Sequence, residues 1–301
     1  MDNSLDQSQK PGGGIRRLLM GSRVWDLSRN DRISFFIGLG IVSVIIFVTI
    51  FADFITPFSP FEIHVEDLHL APGISFKYLL GTDSLGRDVL SRLIHGARVS
   101  LLVGLSSVII ASVIGSFLGV LAGYYGGSLD RLVTLPMDAL YSFPAFLTAL
   151  LIVASLGTSM FYLSLAVAFG LLPKIYRTVR SAAVAIKEEE FVEAEVSLGA
   201  RDSYIVFYHV FPLCINVLVV VMTISIATAI LSIAGLGFLG LGVPTPTPEW
   251  GTDLAAGRPN ILSGVWWTTM IPAILIFFTV LGFNLVGEGM NKIFGSSLEE
   301  I

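Results

Sequence analysis

The residues that could do chemistry in this 301-residue chain are few, and their spacings argue against catalysis. Gly81 to Asp88, GTDSLGRD, has the glycine spacing of a phosphate-binding loop. Such a loop needs a lysine to reach the phosphates and a hydroxyl to hold magnesium. Arg87 and Asp88 take those places, and an aspartate repels phosphate. From Leu85 onward the segment reads instead as an interfacial helix. Leu85, Val89 and Leu93 form one face, and Arg87, Ser91, His95 and Arg98 the other. His64, His69, His95 and His209 show no metal spacing, and the His64/His69 pair reads as solvated. Cys214 is the single cysteine, so no internal disulfide forms; it reads as a small core residue. No serine, histidine and acid arrangement marks a nucleophile. The chain does not read as an enzyme.

The stretch Glu188 to Pro212, EEEFVEAEVSLGARDSYIVFYHVFP, suggests recognition rather than reaction. As a helix it places Phe191, Ala194 and Leu198 on one stripe, with Val192 and Val196 beside it. Glu188, Glu189 and Glu190 fall in the first turn, where the helix dipole favours negative charge. Gly199 suits a left-handed C-terminal cap. A second short helix starts at Asp202 or Ser203, both good N-caps, and runs to Pro212. Helices this short are unstable alone in water, so they must dock on something.

The elements around this segment belong to a bilayer. The chain is 54% hydrophobic and 14% charged, with mean hydropathy +0.81, against about 25% charged in soluble domains. Six runs approach the roughly 20 apolar residues that a spanning helix needs: 33–52, 99–123, 132–156, 158–176, 213–241 and 261–286. With the N-terminus inside, thirteen of the 18 Lys and Arg are cytoplasmic; Lys77, Arg87, Arg92, Arg98 and Arg258 are external. Both termini are then expected in the cytoplasm. The polar head of about thirty residues before the first run marks a retained anchor, not a cleaved signal. GYYGG at Gly123–Gly127 reads as a tight cytoplasmic turn. Pro244, Pro246 and Pro248 predict a stiff, non-helical external loop. Small residues in Thr223–Gly242 allow either close helix contact or a pathway lining.

Ion-coupled transporters carry titratable groups at mid-bilayer. Here five of the six runs carry no charged residue or histidine in their central portions; Asp138 is the exception, and it reads as an interfacial residue near the cytoplasmic end. Uphill transport must then draw energy from a partner.

A resemblance names that partner. Glu193-Ala194-Glu195, three residues, Gly199, nine residues and a segment ending Phe211-Pro212 resemble the EAA loop of permease subunits of ATP-binding-cassette importers. Glu195 stands where the pattern has alanine, and Phe211 where it has leucine. The charge at 195 falls between Phe191 and Leu198 on the expected docking stripe. LGTDSLGRDVLSRLIHGARVSL, GYYGGSLDRLV and GFLGLGVPTPTPEWG narrow the resemblance to the dipeptide/oligopeptide permease family, second-subunit type, across roughly 33–290. The resemblance implies an all-α membrane protein of six transmembrane helices with short cytoplasmic coupling helices, between tails 1–32 and 291–301. External loops would lie at 57–97 and 243–260, and the cytoplasmic coupling loop at 187–211. Phe191, Glu193, Ala194, Leu198, Gly199 and Pro212 would contact an ATPase. Expected partners are a homologous permease, two cytoplasmic ATPases and an external solute-binding protein, with no nucleic acid. This chain would hold no cofactor; ATP and magnesium belong to the ATPases. Peptides are the expected cargo, with oligosaccharides or another solute as alternatives. A passive channel or membrane scaffold is the competing class.

Overall fold

The computed structural model describes residues 28–74 and 76–295. The glycine tract at 12–14 and Lys10, Arg16, Arg17 and Arg23 of the charge argument lie outside those residues. Helices make up the fold: α1 (Arg29–Ile50), α2 (Ala52–Ile55), α3 (Val89–Tyr125), α4 (Gly127–Tyr141), α5 (Ala145–Leu156), α6 (Met160–Lys187), α7 (Glu190–Ser197), α8 (Asp202–Ile205), α9 (Phe211–Phe238), α10 (Trp250–Gly257) and α11 (Trp267–Gly295). Among the described residues the β structure is one isolated antiparallel bridge, Thr82 to Asp88.

Local chemistry sets the helix starts. The Ser28 hydroxyl accepts from the Asp31 amide, Asp88 from Ser91, and Ser159 from Tyr162, each satisfying a donor that the first turn leaves free. Asp88 therefore begins α3 ten residues before the predicted span, and no separate interfacial helix precedes it. The predicted faces change as well. Leu85 precedes the helix and is exposed, whereas Arg87, Ser91 and Arg92 are buried with Val89 and Leu93.

Two further boundaries depart from the sequence reading. The third run is not one rod: α4 and α5 meet at 88° across Ser142–Pro144. The residue before a proline is pushed out of the helical region, and no side chain caps α5. The last run starts later, because Arg258–Ser263 is a 3-10 turn closed by Gly264. Among the described residues four rods are long and apolar enough to cross a membrane: α1, α3, α8–α9 and α11. The bent α4–α5 pair makes a fifth if it counts as one span. The fourth predicted run lies in α6, whose Lys174, Arg177 and Arg180 shorten its apolar length. Six continuous spans therefore overstates the regularity, while the all-helical membrane architecture stands.

The core lies between α3 and α6. Gly115, Gly119 and Gly123 recur every fourth residue of α3 and face α6. A β-carbon at Gly119 would lie 2.9 Å from the Tyr176 carbonyl oxygen, and one at Gly123 2.7 Å from that of Arg180. Only glycine lets the backbones meet so closely, and such contact drives helix association where lipid is the solvent. In α9 the small residues Ser225, Ala227 and Ala229 are buried, supporting close contact for that part of Thr223–Gly242. α1 packs on α11, and Lys292 Nζ meets Asp31 Oδ1 at 2.6 Å.

Candidate functional site

At the C-terminal end of α6 the chain turns into α7, Glu190–Ser197. Glu190 and Glu193 occupy its first turn, on the favourable side of the helix dipole. Gly199 has φ +80°; its amide donates to Val196, and the Ala200 amide to Glu195. That pair of bonds closes the helix and satisfies two terminal carbonyls. The expected cap at Asp202 does not form: Asp202 is the first residue of α8, and the residue before it caps nothing by its side chain. Asp202 instead accepts from the Tyr124 hydroxyl at 3.2 Å. Pro212 stands in the first turn of α9, at the expected entry to the next span. A π turn, Val206–Val210, carries α8 into α9 just before it, and proline is tolerated in such a first turn because it has no N–H to leave unsatisfied.

α7 has two unequal faces. Val192 is buried in the main core. Phe191, Glu193, Ala194, Val196 and Leu198 are exposed, Leu198 at 87%. The predicted stripe of Phe191, Ala194 and Leu198 is thus presented outward. Glu195 does not share it, contrary to the sequence reading. It turns inward, Oε1 lying 2.9 Å from His209 Nε2. Phe191 and Tyr204 flank the same imidazole, with centroids 6.2 and 5.5 Å away. Tyr204, Phe207 and Tyr208 are exposed too, which the sequence reading missed.

The segment is tied to the spans. Lys187 sits over the Tyr124 ring at 5.6 Å, so both ends of the loop meet the last turn of α3. Arg180 of α6 grips Asp130 of α4 in a two-pronged pair of 2.6 and 2.5 Å, and Thr134 joins Asp130 to the Tyr176 hydroxyl. Arg177 reaches Asp138 at 2.7 Å and lies over Tyr141. Bidentate arginine–carboxylate pairs fix geometry as well as charge. A push on α7 would therefore reach α3, α4 and α6 together.

The opposite end of the bundle is a polar knot. In GTDSLGRD, Asp83 accepts from the Leu85 and Arg87 amides and pairs with the Arg87 side chain at 2.7 Å. A carboxylate thus takes donors that a phosphate would need. Arg92, absent from the predicted polar face, is buried and joins three segments through the Pro60 and Pro246 carbonyls and Asp253. Glu249 is fully buried and caps α10, accepting from the Gly251 and Thr252 amides and the Ser100 hydroxyl. Burial pushes its carboxyl above the ordinary range, against the pull of those donors. In the exposed loop, the Tyr78 hydroxyl and then Lys77 hold the Asp67 carboxyl below it.

Known proteins share this plan. The chain is 41% identical to the di/tripeptide transport system permease protein DppC of Pseudomonas aeruginosa, over 84% of this chain and 85% of that one. It is 39% identical to the dipeptide transport system permease protein DppC of Alkalihalophilus pseudofirmus, over 85% and 83%. With the glutathione transport system permease protein GsiD of Pectobacterium atrosepticum it shares 35%, over 83% and 82%. In three dimensions it resembles a chain of the MetNI methionine ABC transporter in an inward-facing conformation, with TM-score 0.54 and 20% identity over 65% of this chain and 93% of that one. That likeness concerns the fold alone. Residues 31–72 match the N-terminal TM domain of oligopeptide transport permease C. Residues 115–300 match the binding-protein-dependent transport system inner membrane component, and the chain belongs to that family of multi-pass transport permeases.

Proposed function

We propose that this chain is one membrane half of an ATP-driven peptide importer. The observation that carries the reading is the outward apolar stripe of α7, Phe191, Ala194 and Leu198, on a short helix closed by Gly199 and tied to α3 and, through α6, to α4. An exposed apolar patch rimmed by charge is a protein contact, and this one fits a groove of a cytoplasmic ATPase. A homologous permease completes the pathway, a second ATPase serves that permease, and an external binding protein delivers the cargo. ATP and magnesium act on the ATPases; this chain converts their closure into movement of its helices. The termini lie in the cytoplasm, as the Lys and Arg bias favours. Relatives named for dipeptides, di/tripeptides and glutathione support a peptide cargo.

The test is reconstitution of the four membrane and ATPase subunits in vesicles with the binding protein. Peptide uptake should require ATP and the binding protein together. Uptake that proceeds without ATP would leave a passive channel as the better description.

A further inference from the structure

Two cavities open on one side of the bundle, and Lys174 of α6 lines both. The first, about 440 Å³, lies against the break in the bent pair and is walled by Ser142, Phe143, Pro144 and Thr228. The second, about 480 Å³, extends toward the coupling segment along Thr178, Glu189, Phe191, Asn216 and Asn291. Ile224 of the second and Thr228 of the first stand one turn apart on α9, so the two share α6 and α9 as walls.

Lys174 lies fourteen residues into α6, about 21 Å along its axis at 1.5 Å per residue. The predicted apolar run 158–176 ends two residues later, so the ammonium stands at the cytoplasmic end of that run, beside the break in the bent pair. A cation at the end of an apolar run turns to water, a water-filled cavity or a partner rather than to lipid. Irregular backbone such as Ser142–Pro144 is likewise tolerated only where it is buried in protein or lines such a cavity. The other two cations in this part of α6 are matched: Arg177 with Asp138, and Arg180 with Asp130. Lys174 has no carboxylate within ion-pair distance among the described residues, and it is exposed.

We propose that Lys174, at the meeting of the two cavities, binds the terminal carboxylate of a peptide in transit. The assignment rests on the peptide reading above and adds to it the residue that holds the cargo's anionic end. A compact ammonium on a flexible stem suits this task, because it can follow a moving carboxylate and release it.

The test uses the whole reconstituted complex and one dipeptide, offered as the free acid and as the C-terminal amide. Lys174→Gln should lower kcat/KM for the free acid about tenfold, the size of one charge-assisted contact. The amide should change less than twofold, and Lys174→Arg should keep most of the free-acid uptake. Lys174→Cys in a Cys214→Ser background should react with an anionic, water-soluble thiol reagent, and the free-acid peptide should slow that reaction. Equal losses for acid and amide would overturn the proposal in favour of a packing role or an ion pair with the partner permease. A cysteine at 174 that does not react would also overturn it, since the position would not face water. Reaction at 174 in a complex that imports neither peptide would reject the peptide reading and the carboxylate assignment with it, leaving only a water-lined surface.

Discussion

Glu195 Oε1 lies 2.9 Å from His209 Nε2, so the acid points beneath α7 toward the start of α9 and away from the exposed stripe. Seen only as a helical wheel, Glu195 intrudes on a docking surface, and its replacement by alanine looks favourable. The observed contact gives the opposite sign. Glu195→Ala should loosen α7 from the π turn, at a cost of no more than about 1 kcal/mol for a partly exposed pair. Hydrogen exchange of the 190–200 amides should quicken, while transport falls by no more than about threefold. Unchanged exchange would show that the pair does not hold α7 in place.

Gly199 separates conformation from crowding. Its φ of +80° is costly for a side chain, yet a β-carbon there would meet no atom within 4 Å. Gly199→Val should therefore act through the backbone alone, costing about 1–2 kcal/mol. Gly199→Asn should be nearly neutral, because asparagine tolerates the left-handed region. In the reconstituted complex the valine variant should reach the membrane but bind the ATPases weakly or hydrolyse ATP without uptake. The asparagine variant should couple normally. If valine couples as well as glycine, α7 is not the coupling element.

The segment 190–200 was legible because its signals are local. An amphipathic stripe, acids in a first turn and a glycine at a helix end each act within a few residues, and Gly199 adopts the conformation those signals demand. Arg92 was not legible. Its neighbours alternate like a surface helix, but the polar side meets Pro60, Pro246 and Asp253 from segments up to 161 residues away. A wheel cannot tell water from a distant polar loop. The break at Ser142–Pro144 did carry a signal, since proline disfavours helix before it. Yet Pro136, Pro173 and Pro272 lie inside helices and Pro212 in the first turn of one, as bundles in membranes allow. Proline alone could not have singled out position 144.

Arg92 is predicted to hold its end of the bundle together. Its side chain is only 5% exposed, and removing one partner of a buried pair leaves an uncompensated charge, typically at a cost of about 3–5 kcal/mol. Arg92→Ala should therefore sharply lower the yield and melting temperature of the purified complex. Arg92→Lys should recover only part of both, because one ammonium cannot serve Asp253 and two carbonyls in a guanidinium's planar arrangement. Equal melting temperatures for all three proteins would mean that the segments around Pro60, Pro246 and Asp253 are held by other contacts.

Glu249 makes a pH-dependent prediction whose sign follows from its burial. Its carboxyl is raised above the ordinary value of 4.5 because the folded site disfavours the charge. The folded state therefore holds the proton more tightly than the unfolded chain, and this group's contribution to stability is lost as pH rises through the window above 4.5. Glu249→Gln has no proton to lose, so its contribution stays flat. The melting temperature of Glu249→Gln relative to the parent complex should accordingly increase from pH 5 to pH 8. Glu249→Ala separates this charge effect from the cap. It strips the acceptor from the Gly251 and Thr252 amides, a loss of about 0.5–2 kcal/mol for a helix cap, and should be less stable than the parent at every pH. A constant difference between the glutamine variant and the parent would show that Glu249 does not change protonation on folding, and its role would then be that of an uncharged or permanently charged cap.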